Sequence, residues 1–144
     1  MARKIKPRTP PVADELAVLQ PTSTLPLGDR TVIVRELGFF ESLRLHESVA
    51  ALVGDLVALT EDGSVDLSRL HRVCALHPDA TVELLAQTSD QSVEWVHSLN
   101  AAHGDLLLMT FWAVNADFFL QRVFSALELQ RQGAAANGLE SSPL

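Results

Sequence analysis

Apolar and polar positions divide the chain into a short extended region and a long helical one. Thr22 to Leu27 and Arg30 to Leu37 form two regular stretches joined by Gly28-Asp29, a pair suited to a two-residue hairpin because glycine accepts positive φ at the first central position. Pro26 cannot donate to a ladder, which puts the first strand at an edge. A lone hairpin is marginal in water, so this one must pack on helices or pair with another chain. From Gly38 the period becomes helical. Leu45, Val49, Leu52, Leu56 and Leu59 recur at steps of four and three, with Phe39, Leu43, Val53 and Val57 in a second row beside them. Only a narrow polar stripe remains, through Glu41, Arg44, Ser48 and Asp55, so this helix is expected to be central or covered on two sides.

Turn and capping residues divide the rest. Glu61-Asp62-Gly63 ends the first helix, and Asp66 is placed to cap a short helix from Leu67 to Leu76. Pro78 fits the first turn of a helix over 79–87, where its missing N–H would be unpaired anyway. Ser89-Asp90 reads as a cap for a helix from Gln91 to about Leu99 that places Val93, Trp95 and Val96 near one another. Asn100 caps the last and longest helix, which is expected to run to about Gln132 and stop at Gly133. The predicted fold is mainly α (α+β): an N-terminal hairpin followed by a bundle of four to five helices. Residues 1–21 would be a flexible basic arm, 22–132 a single domain and 133–144 a flexible tail.

Composition supports helix over sheet. Leu, Ala and Met number 43 against 16 for Val and Ile, and there is no Tyr. The net charge of -7 is unevenly spread, because Arg3, Lys4, Lys6 and Arg8 make the first eight residues +4 and leave -11 on the remainder. Such a body repels phosphate backbones, which argues against nucleic acid as a main partner and ranks a DNA-binding regulator using the arm last. The arm has the charges that open a signal peptide but no apolar run behind them, so export is not expected. Cys74 alone permits no internal disulfide and suits a reducing compartment.

The last helix carries the strongest hydrophobic signal. Between Leu106 and Leu120 only Thr110, Asn115 and Asp117 are polar. Fifteen residues cover about 22 Å, short of the ~30 Å hydrocarbon layer, so a membrane span is not expected. A helix apolar nearly all round needs cover on all sides, and two helices here ask for it in a body that can barely enclose one. Either they cover each other, or part of the surface, at Phe111, Phe118, Phe119 and Phe124, waits for a partner chain. Trp95, Trp112 and Asn115 are expected to be structural. A buried amide must be hydrogen-bonded, with helix termini or the hairpin as its partners, while Phe118 or Phe124 should be the more exposed rings.

Motifs for chemistry are nearly absent. His71, Cys74 and His77 have zinc-ligand character, but on one helix they step round the axis and do not converge, so no metal and no cofactor is expected. His46-Glu47 lacks the second histidine of a zinc-protease motif, which falls on Ala50. Aligning Gly63 with the sixth position of a calcium loop puts Ala58 and Arg69 where carboxylates are needed. Paired carboxylates among Glu41, Asp55, Asp105 and Asp117 read as helix-surface charges, and no nucleophile triad or phosphate loop is present, so no enzyme is expected.

The ordered segments Thr31-Val-Ile-Val-Arg-Glu-Leu-Gly-Phe39, Val93-Glu-Trp95-Val and Leu106-Leu-Leu-Met-Thr-Phe-Trp112-Ala-Val-Asn115-Ala-Asp-Phe118-Phe119 together resemble proteins of the phage and prophage tail assembly chaperone type. The resemblance covers about residues 25–125, and its most specific piece is the Trp112, Asn115, Phe118, Phe119 cluster. It implies a non-enzymatic protein of the host bacterial cytoplasm that binds the tape measure protein, with the tail tube protein and a second copy of itself as further partners. It also implies absence from the finished particle and, in some members, a longer product made by frameshifting. The alternative is a tail-completion or connector subunit retained in the virion, its edge strand near Pro26 adding to a neighbour's sheet.

Overall fold

The computed structural model describes residues 21–59 and 65–140, with side chains to residue 135. The basic arm, the Glu61-Asp62-Gly63 turn and residues 141–144 lie outside the described residues. Strands β1 (Thr22–Leu27) and β2 (Arg30–Arg35) pair antiparallel, with Thr22 opposite Arg35 and Leu27 opposite Arg30. Gly28 sits at φ 65° and Asp29 does not share the left-handed region, as a II′-type turn requires. A Cβ at Gly28 would meet the His103 ring at 3.4 Å, so the turn also lies close against the last helix.

Six helices follow among the described residues: α1 (Phe39–Arg44), α2 (His46–Leu59), α3 (Leu67–Leu76), α4 (Pro78–Ser89), α5 (Val93–His97) and α6 (Ala101–Glu140). The protein is mainly α with an N-terminal hairpin, as its sequence predicts. The core lies where α2, α4 and α6 meet under the hairpin's inner face. Leu27, Val32 and Val34 pack there with Leu52, Leu56, Leu84, Leu107, Phe119 and Val123. Pro78 opens α4, Asp66 caps α3 by accepting from Arg69 N–H at 2.8 Å, and Asn100 accepts from His103 N–H at 2.8 Å at the start of α6.

Besides shifts of one or two residues at the ends of α4 and α5, the structure differs from the pattern in the sequence at four places. The helix expected from Gly38 onward is two helices, because the chain breaks at Leu45 (φ -97°, ψ 24°). The break lets Leu45, Val49, Leu52 and Leu56 turn inward while Phe39 and Leu43 face solvent. Strand β2 ends at Arg35 rather than Leu37, and Leu37 N–H bonds the Asn115 side chain. Ser89 and Asp90 do not cap the following helix. Ser89 is buried at the end of α4, Asp90 closes α4 in the left-handed conformation, and Ser92 caps α5 through Trp95 N–H. Finally, α6 continues through Gly133 to Glu140 instead of ending near Gln132. The stretch crosses Gly133 and Gly138, each costing about 1 kcal/mol in a helix, and the alanines at 134–136 between them are the best helix formers.

The narrow polar stripe of the Gly38–Leu59 stretch stitches helices together, in keeping with a helix covered on two sides. Arg44 bonds Gln87, Ser48 bonds Glu83, and Asp55 bonds His77. Glu41 takes both terminal nitrogens of Arg35 at 2.6 Å, while the same guanidinium reaches the Asp90 carboxylate at 3.1 Å and the Gln87 carbonyl at 2.9 Å. This two-pronged geometry ties β2, α1 and α4 at one point. The Arg35 bond, with help from Gly38 N–H and Gln87, holds the Glu41 carboxyl down to about 2 from an ordinary 4.5. A carboxyl whose folded value is depressed stabilises fully above its unfolded value and loses that contribution as pH falls toward the folded one. Glu41→Gln should therefore cost roughly 1 to 2 kcal/mol at pH 7, and the gap from wild type should close between pH 4.5 and 2. Urea midpoints at stepped pH measure it, and a gap that stays constant across that window would contradict the role of Glu41.

Candidate partner-binding surface

Helix α6 has two faces of similar composition and opposite exposure. Along the inner face Leu107, Leu108, Phe111, Asn115, Phe119 and Val123 are buried. Asn115 is fully enclosed. Its Oδ1 accepts from Leu37 N–H at 2.8 Å, and its Nδ2 donates to the carbonyls of Arg35 and Phe111 at 3.2 Å. The amide thus pins the end of the hairpin to the middle of α6, satisfying an N–H and a carbonyl that the strand ladder leaves unpaired.

The aromatic residues singled out as partner-binding divide between the two environments. Phe111 and Phe119 belong to the core and are not a free surface: Phe119 is fully buried, edge-on to Phe111 at 5.8 Å and to Phe118 at 5.0 Å. The hairpin, α2 and α4 cover the face on which they lie, which corrects that expectation for both rings. Phe118 is half-buried under the Arg122 guanidinium, 3.8 Å from its ring centre. Phe124 is 47% exposed. Trp112 is half-buried at 5.9 Å from Phe119, and Trp95 is half-buried beneath Arg30, whose Nη1 reaches Gln91 at 2.7 Å. Asn115 is thus buried, while Trp95 and Trp112 are half-buried against other side chains.

Leu106 and Met109, which aromatic content did not point to, join Phe124 on the outer face at 44% and 47% exposure. The sequence held a signal for this. Leu106 and Phe124 each lie nine residues from Asn115, which is two and a half helical turns, so a buried amide at 115 puts both on the opposite side. A second apolar area lies on α1. Phe39 and Phe40 are 70% and 80% exposed and stack edge-to-face at 5.3 Å, with Leu43 beside them. Thr22, Glu36 and Leu37 line an open cleft with these two rings.

The residues with ligand chemistry are kept apart. His71 pairs with Asp105 at 3.0 Å, His77 pairs with Asp55, and Cys74 is buried, its thiol pushed up by burial away from the thiolate a metal needs. No group of three His, Cys, Asp or Glu side chains among the described residues is placed to hold a metal ion. No helix among them is long and apolar enough to cross a membrane.

Hairpin, helical core and bare outer helix face define a small mainly α domain with apolar surface left uncovered. The chain belongs to DUF6631, a family of unknown function, which matches residues 15–144. No curated protein and no solved structure matches it.

Proposed function

We propose that the protein is a non-enzymatic tail assembly chaperone of a phage or prophage, acting in the host cytoplasm and holding the tape measure protein before the tail tube is built around it. The observation that carries this reading is the outer face of α6, where Leu106, Met109 and Phe124 remain exposed on the longest helix of a body that already has a complete core. A long, partly apolar helical client has stripes to cover, and a groove or helix face is the ordinary way to cover them. The net charge of -7 keeps such a complex soluble. The sequence resemblance to tail assembly chaperones supports the same assignment.

A connector retained in the virion would use the protein differently, through the outer edge of β1, which pairs with no third strand among the described residues. Quantitative mass spectrometry of purified virions separates the two. The chaperone reading expects the protein in infected-cell lysate and not in particles. A fixed copy number per particle would overturn it in favour of the connector.

A further inference from the structure

The outer face of α6 is organised as a seam. Leu106, Met109, Ala113, Ala116, Leu120 and Phe124 follow one another at steps of three or four, and all are exposed or half-buried. That spacing approximates the 3.5-residue repeat with which one helix meets another lengthwise. The two alanines at the centre let a second backbone approach, while the four large side chains at the ends give it knobs to pack between. From Leu106 to Phe124 the seam runs about 27 Å, or five turns. Its charge is one-sided: Asp117 and Asp105, the latter also within 3.0 Å of His71, are exposed along this stretch. The single Lys or Arg between Ala101 and Leu127 is Arg122, and its guanidinium is folded over Phe118.

We infer that this seam receives one amphipathic helix of a partner protein, carrying an apolar stripe of 3.5-residue spacing flanked by lysine or arginine. The inference rests on reading α6 as the client surface and adds the chemistry of the client segment. Basic flanks match Asp105 and Asp117 across the seam, and they are drawn to a chain whose net charge is -7. A second copy set seam to seam would bring the same two carboxylates against these, which disfavours a symmetric dimer on this face.

The test uses two synthetic helical peptides of five turns with identical leucine stripes, one flanked by lysine and one by glutamate, titrated into the full-length protein by isothermal calorimetry. The lysine peptide should bind at least tenfold more tightly than the glutamate peptide. Met109→Glu should weaken it at least tenfold with an unchanged far-ultraviolet spectrum, because that side chain is already exposed. Asp117→Lys should narrow the preference between the peptides. Equal binding of both peptides, failure of both to bind, or indifference to Met109→Glu would overturn the inference. So would a dimer of the protein alone that Met109→Glu dissociates, since the seam would then already be filled by a second copy. Tape measure capture is scored separately: selective peptide binding by a protein that retains no tape measure protein would sink the chaperone reading and leave the seam's chemistry intact.

Discussion

Phe119→Ala should lower unfolding free energy by about 3 to 5 kcal/mol, the range for removing a buried aromatic ring whose neighbours cannot fully collapse. The ring is fully buried and meets three other aromatic side chains, Phe111, Trp112 and Phe118, at centroid distances of 5.0 to 5.9 Å. The Phe111 and Phe118 contacts add edge-to-face attraction to the area lost, and together they amount to a large share of the ~5 to 15 kcal/mol that holds a domain of this size. Phe124→Ala, on the same helix five residues later, should change stability by less than about 1 kcal/mol because its ring is already half in water. Chemical denaturation of the two variants beside wild type measures both effects. Equal losses would mean that α6 does not have one buried and one bare face.

The contrast between Phe119 and Phe124 also shows what the sequence conveyed and what it withheld. Period, caps and turn chemistry are local properties, so the hairpin with Gly28 at positive φ, the Asp66, Pro78 and Asn100 helix starts and the length of α6 to Gln132 could all be read along the chain. The break at Leu45 could not, because no glycine or proline marks it. It follows from the pull of Arg35 on Glu41 across six residues and from the inward turn of Val49 and Leu52. The continuation past Gly133 was hidden for the opposite reason, a local breaker outweighed by the alanines after it.

The candidate surface was half legible. Aromatic content pointed to α6 and named Phe124, which is exposed, but it also drew in Phe111 and Phe119, since ring size favours burial as strongly as it favours binding. Leu106 and Met109 look in sequence like any other core residues. The spacing from Asn115 marks the side for Leu106 and Phe124 once that amide is taken as buried, and the bonds of Asn115 to Leu37 and Arg35 on the hairpin, about 80 residues away, are what bury it.

The proposal that α6 holds the tape measure protein on its outer face is tested most directly by co-expressing that protein with the wild-type chain and with Met109→Glu, then purifying through a tag on the chain. Wild type should retain the tape measure protein. Met109→Glu should lose at least nine-tenths of it while keeping the wild-type melting temperature within a few degrees, because a charge placed on an exposed position costs the fold little. Retention undiminished in Met109→Glu, or no tape measure protein captured by wild type at all, would contradict it.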